Sequence, residues 1–134
     1  MKPETERFLA AAWRHRDYAA KNAEFSLPEV AGREAYLAAF HAAQALLFER
    51  TGRVVKTHRG LRSAFSLLGH GEAAIPVGLT KFLGDAYEMK SVADYGTEPE
   101  PGTSLSEATE AIETARHFVK TIARVLGPED TATP

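Results

Sequence analysis

The chain contains no cysteine, which excludes disulfides, thiolate metal sites and cysteine nucleophiles. It has no apolar run near the roughly 18 residues that a membrane-spanning helix requires. The opening Met1-Lys2-Pro3-Glu4-Thr5-Glu6 is polar and leads into no apolar signal core, so a cytoplasmic location is expected. An excess of one charge is also missing: 16 Lys and Arg oppose 18 Asp and Glu, for a formal net charge of −2. That balance argues against a strongly electropositive nucleic-acid binder or an acidic tail protein. Sustained period-two alternation is absent and β-branched residues are scattered, so nothing signals a half-buried strand.

What remains is 134 residues, 44% hydrophobic and 25% charged, the composition of one ordinary globular domain. Alanine is the commonest residue. It orders into a helix without losing side-chain entropy, and the expected class is all-α.

Five helices can be traced. The first is expected over about Glu4 to Asn22, with Phe8, Ala11, Ala12, His15, Tyr18 and Ala19 at three/four spacing. Ser26 is the expected N-cap of the second. Glu29 completes a capping box, and Phe25 and Val30 stand at hydrophobic-staple spacing. That helix carries Tyr36, Leu37, Phe40, Ala43, Leu47 and Phe48 and stops at Thr51-Gly52, although Gly32 near its start is a poor helix former. Thr57 can cap a third helix with Leu61, Phe65, Leu67 and Leu68 on its apolar face. The fourth is expected from Ile75-Pro76 towards Val92, closed by Gly96 and the Pro99/Pro101 loop. Ser104-Leu-Ser-Glu107 is a second capping box, opening a fifth helix that ends near Leu126. The expected architecture is a bundle of four long helices plus a short one, the third, across one end. Residues 1–126 would form the domain, and 127–134 a disordered tail.

The residues alone offer little chemistry. The histidines are His15, His41, His58, His70 and His117, and no pair stands at i, i+4. Thr114, not an acid, lies three before His117, so the Glu-x-x-His signal of bundle metal sites fails. No metal and no cofactor are expected. Gly69-His70-Gly71 lacks the Lys-Ser/Thr of a phosphate loop, and there is no nucleophile elbow. His41 reads as a satisfied, partly buried histidine. The basic residues Arg7, Arg14, Arg16 and Lys21 read as a solvated face of the first helix. Arg53, Lys56, His58, Arg59 and Arg62 form a denser basic cluster around the connector to the third.

Three ordered strings go further. The first is Glu34-Ala-Tyr36-Leu37-Ala-Ala-Phe40-His41-Ala. The second is Lys56-Thr57-His58-Arg59-Gly60-Leu61. The third, ending the fourth helix, is Tyr87-Glu-Met-Lys90-Ser-Val-Ala93-Asp94-Tyr95-Gly96. Together they resemble the HEPN domain family (higher eukaryotes and prokaryotes nucleotide-binding), in particular its small prokaryotic, HepT-like members. There the strings read Arg-Ala-Tyr-Tyr-Ala-x-Phe-His-Ala, Lys-Thr-His-x-Gly-Leu and Leu-Arg-x-x-Ala-Asp-Tyr-Gly. The resemblance spans roughly residues 4 to 126.

The resemblance implies a helical bundle, a homodimer whose fourth-helix motifs face each other, and a minimal nucleotidyltransferase partner in a toxin–antitoxin-like two-gene module. It also implies RNA or nucleotide as ligand, at Arg33, Tyr36, His41, His58, Arg59 and Lys90. Catalytic members of the family carry Arg, then His a few residues on, for metal-independent RNA cleavage by acid–base chemistry. Here Lys90 and Tyr95 take those places, Glu34 stands where the family often has Arg, and Arg33 is adjacent. Lys lacks the planar fork of Arg, and a phenol with a pKa of about 10 is a poor base near neutral pH. Asp94 can serve as a base only if its pKa is raised. Arg53 and His58 match the spacing of the motif, but in the wrong connector.

Three readings stand at this point. One is a binding protein with a degenerate ribonuclease motif. Another is an active endoribonuclease toxin using Lys90, Asp94 and Tyr95 with help from His58 or His41. The last is a purely structural helical dimer, with Lys90 solvated, Asp94 bonded to backbone or an Arg, and Tyr95 a closing apolar contact.

Overall fold

A computed structural model describes residues 1–95 and 102–127. Its elements are α1 (Pro3–Glu24), α2 (Pro28–Thr51), α3 (His58–Gly69), α4 (Gly78–Tyr95) and α5 (Leu105–Leu126). Four helices are long and α3 is short, and no strand occurs among the described residues. The expected closure at Gly96, Pro99 and Pro101 lies outside those residues, as does the expected tail beyond Gly127. No helix is long and apolar enough to cross a membrane.

α2 is the central helix and packs against each of the other four. Alanines make this possible: Ala31, Ala35, Ala38, Ala39, Ala42, Ala43 and Ala45 are all buried, along one broad face of the helix. Gly32, Tyr36, Leu46 and Leu47 are buried as well, so most of the circumference of α2 faces the interior. Large side chains from the other helices fill the space that these methyl groups leave. Leu61 and Phe65 come from α3, Leu83 from α4, and Phe118, Val119 and Ile122 from α5. The Phe65 and Phe118 rings stack at 5.3 Å. Burying a side chain of that size contributes about 1.5–3 kcal/mol.

The α1–α2 turn differs from expectation. Ser26 is not the N-cap of α2, which has Leu27 before it and no side-chain cap. Ser26 instead has φ 57° and closes α1. Its N–H donates to the Ala23 carbonyl at 3.0 Å, and the Leu27 N–H donates to that of Asn22 at 2.9 Å. This paired pattern satisfies the last carbonyls of a helix. With only three residues between the helices, Ser26 serves the end of α1. Pro28 opens α2, where a missing N–H is harmless. The staple does not form either: Phe25 is 76% exposed.

The other caps match the sequence reading. Gly52 ends α2 at φ 73°. Thr57 Oγ1 accepts the Gly60 N–H at 3.1 Å at the start of α3. Ser104 and Glu107 form the capping box of α5, at 2.9 and 3.1 Å. α4 begins at Gly78, later than expected. Ile75 sinks into the core from the preceding turn, and the Pro76 carbonyl accepts the Leu79 N–H at 3.1 Å.

Gly32 has a packing role. A Cβ there would lie 2.5 Å from Met89 Sδ and 2.8 Å from Met89 Cγ, so its bare backbone admits α4 against the first turns of α2. This close approach brings the C-terminal half of α4 beside Arg33 and Tyr36.

Candidate functional site

Where α2, α4 and the start of α3 meet, an open cavity of about 280 Å³ is lined by Tyr36, Leu37, Phe40, Lys56, His58, Tyr87 and Lys90. Tyr36, only 3% exposed, holds its hydroxyl 3.0 Å from His58 Nδ1. The His58 imidazole stacks on Tyr87, with centroids 3.9 Å apart and planes 11° from parallel. Tyr36 meets Tyr87 edge-on at 5.6 Å. The Lys90 ammonium lies 6.0 Å from the Tyr87 ring centre and 5.6 Å from that of Tyr95, within cation–π range. Burial, then the charge of Tyr87, pushes the Tyr36 phenol well above its usual range, so it keeps its proton. Burial, then the Arg62 guanidinium, holds His58 below the usual histidine value. The imidazole is therefore neutral near neutral pH.

A string of alternating charge runs from Lys90 into the bundle. Lys90 Nζ pairs with Asp94 Oδ2 at 2.7 Å, and Asp94 Oδ1 with Arg33 Nε at 3.0 Å. Arg33 Nη1 pairs with Glu34 Oε2 at 3.0 Å, and Glu34 Oε1 lies 2.6 Å from His15 Nδ1 on α1. His15 stacks on His41 at 5.1 Å. His41 Nδ1 lies 2.8 Å from Gln44 Oε1, and Gln44 Nε2 donates to the Val55 carbonyl at 2.9 Å. Glu34 is only 8% exposed, and a carboxylate in such a place needs partners for both oxygens. Hydrogen bonding to Asp94 raises the Lys90 pKa. The reciprocal bond, with Arg33 adding to it, lowers that of Asp94. Burial lowers that of His41.

The structure thus brings Tyr36, His58 and Lys90 to one cavity and joins Lys90, Asp94 and Arg33 by ion pairs. It does not bring His41 there: that ring faces His15 and Gln44, the satisfied arrangement its sequence context suggests. Arg59 lines the neighbouring groove, not this cavity. Arg33 is engaged by two carboxylates. Asp94 does not meet the condition for a base, because its pKa moves down, not up. Tyr95 is 74% exposed and is not a closing core contact.

Three participants were not singled out from the sequence. Tyr87 begins the third family string but carries no expected role there; it lies three residues before Lys90, one helical turn along the same face, and that spacing could have marked it. Glu34 stood out only as a departure from the family string, and His15 only as an apolar-face position. Their pairing is a tertiary contact with no local signature.

Among the described residues, no group of three His, Asp or Glu is placed to hold a metal ion. The fold and cavity define an all-α protein with a lysine-bearing, aromatic-walled site. The family model for the HEPN domain matches residues 5–125, and the chain belongs to that family. No curated protein matches it.

Proposed function

We propose that this HEPN protein binds a nucleotide or RNA through a phosphate group held by Lys90 and Lys56, with its ribonuclease motif degenerate. The observation that carries this reading is the placement of both lysines in one open cavity with the stacked His58–Tyr87 pair. Cations there attract phosphate, and exposed aromatic edges accept a base or ribose. The chemistry for cleavage is weak. Asp94 is held ionised by two cations, and Tyr36 retains its proton. The test is fluorescence anisotropy with a labelled oligoribonucleotide, and calorimetry with ATP. Lys90→Ala should weaken binding by about tenfold, the loss of one charge-assisted contact. Equal affinity of variant and wild type would refute the assignment.

A second reading has one specific observation in its favour. His58 is neutral and shares the cavity with Lys90, as a general base beside a phosphate anchor would. A metal-independent endoribonuclease of this kind cleaves RNA in EDTA and loses activity in His58→Ala.

The family resemblance also supports a homodimer, a minimal nucleotidyltransferase partner and a two-gene toxin–antitoxin-like module. An apolar surface supports a protein interface. Phe25, Leu27, Val30, Val92, Tyr95 and Leu105 are all exposed, at the end of the bundle where α2 and α5 begin and α4 ends. Exposed apolar groups gathered in this way mark interaction sites. Light scattering reads the oligomeric state, and Tyr95→Glu should shift it towards monomer. A dimer without affinity for any nucleotide or RNA would leave the purely structural reading. The neighbouring gene tests the partner.

A further inference from the structure

A second, larger groove of about 630 Å³ lies between α3 and α4, and His58 is a wall of both it and the Lys90 cavity. One face of α3 supplies Arg59, Arg62, Ser63 and Ser66, its C-cap supplies His70, and α4 supplies Thr80. These residues stand three or four apart, so they share one side of α3 and its C-cap. Every ionisable residue in this lining is basic, and three hydroxyls stand among them.

Two features make this more than a solvated basic face. Among the described residues, neither Arg59 nor Arg62 has a carboxylate within ion-pair distance. Glu72, just beyond α3, is engaged by Arg50 at 2.6 Å, and Asp85, beside Gly84 on α4, by Lys81 at 2.7 Å. Moreover, Arg62 has a prepared seat. A Cβ on Gly84 would fall 2.7 Å from Arg62 Cζ and 2.8 Å from both terminal nitrogens. The glycine therefore lets the guanidinium lie against the backbone of α4, directed by packing and not by an anion of the protein.

We propose that this groove is a phosphate-binding subsite in which Arg62, with Arg59 and the hydroxyls of Ser63, Ser66 and Thr80, holds the next phosphodiester of an RNA strand entering the Lys90 cavity. The planar fork of Arg62 suits two phosphate oxygens, and the hydroxyls donate to the remaining ones. The identity of the strand rests on the reading of the Lys90 cavity; the phosphate subsite does not. A bound phosphate also opposes the charge of Arg62 at His58, so His58 should titrate at higher pH when the groove is occupied.

The test is amide and histidine NMR on the full chain, titrated with inorganic pyrophosphate and, separately, with a short oligoribonucleotide. Pyrophosphate should shift the Ser63, Ser66 and Thr80 amides. Arg62→Gln should weaken that response by about tenfold, for loss of a charge-assisted bond. Gly84→Ala, which keeps every charge and favours helix, should weaken it several-fold by unseating Arg62. The oligoribonucleotide should bind more weakly to both Arg62→Gln and Lys90→Ala. No pyrophosphate response on α3, or the same response in Arg62→Gln and Gly84→Ala as in wild type, overturns the subsite. Oligoribonucleotide affinity untouched by Arg62→Gln overturns its assignment to the strand. Affinity sensitive to Arg62→Gln but not to Lys90→Ala supports the subsite and defeats the Lys90 reading instead.

Discussion

Arg33 Nε and Asp94 Oδ1 lie 3.0 Å apart across the α2–α4 contact. Through this pair the last turn of α4 is tied to Glu34, a buried carboxylate of the central helix. Asp94 therefore faces two cations at once, and its charge is divided between Arg33 and the ammonium that lines the cavity. Lys90 is positioned by Asp94 and partly neutralised by it.

Removing that neutralisation should favour an anion. Asp94→Asn leaves Lys90 without its carboxylate partner, so affinity for oligoribonucleotide should rise a few-fold while Lys90→Ala lowers it. The cost in stability should be small, about 0.2–1 kcal/mol, because both side chains are partly exposed. Anisotropy and urea unfolding measure the two effects on the same preparations. A fall in affinity in Asp94→Asn would mean that Asp94 itself serves the ligand.

Glu34 should behave differently. Its two oxygens hold His15 and Arg33 from inside the bundle. Glu34→Ala should cost roughly 2–3 kcal/mol, the value of hydrogen bonds to a buried charge together with the polar groups left unmatched. The urea midpoint should drop without a change in slope. A loss no larger than that of Asp94→Asn would show that α1 and α2 do not depend on this carboxylate.

These contrasts explain what the sequence could and could not disclose. Thr57 and Ser104 announced two helix starts because capping is local: residue type and a three-residue spacing suffice. Ser26 misled for the same reason, since both neighbouring helix ends had a use for it and a sequence pattern does not rank them. Lys90, Asp94 and Tyr95 stood out through family strings, and Tyr36 and His58 through the same source. Their mutual arrangement did not. The His58–Tyr87 stack and the His15–Glu34 pair join residues on different helices. Nothing in either segment alone distinguishes a partner from a bystander.

Acid should weaken the fold in two stages. His41 and His58 are both held below 6.5 in the folded chain, chiefly by burial. The unfolded chain takes up those protons first as pH falls. Stability is thus complete above 6.5 and declines below it, towards the folded values. The carboxyls of Asp94, Glu49 and Glu107 are held below their usual values by hydrogen bonds, so their share is lost only under more acid conditions. Lys90 is raised, so its contribution persists below 10.5 and disappears as pH rises through its folded value. Urea midpoints between about pH 7.5 and pH 5 should fall, and His41→Gln should flatten the slope. A flat profile in wild type would contradict the burial of both rings.

Gly32 offers the sharpest contest between local and tertiary preference. In an exposed helix, Gly→Ala stabilises by about 0.8–1 kcal/mol. Here the new methyl would meet Met89 Sδ at 2.5 Å and Cγ at 2.8 Å. The Met89 side chain must move within a packed contact, and overpacking of that kind costs about 1–3 kcal/mol. The net effect of Gly32→Ala should be a loss of stability, with Lys90 displaced along with its helix and ligand affinity reduced. Met89→Ala alone should also destabilise, by leaving a gap. Combined, the two changes should cost less than their sum, because the methyl added at position 32 fills space that the shortened side chain at position 89 vacates. Simple additivity in urea unfolding would show that α2 and α4 do not meet at these two positions, and the placement of Lys90 beside Tyr36 and His58 would lose its physical basis.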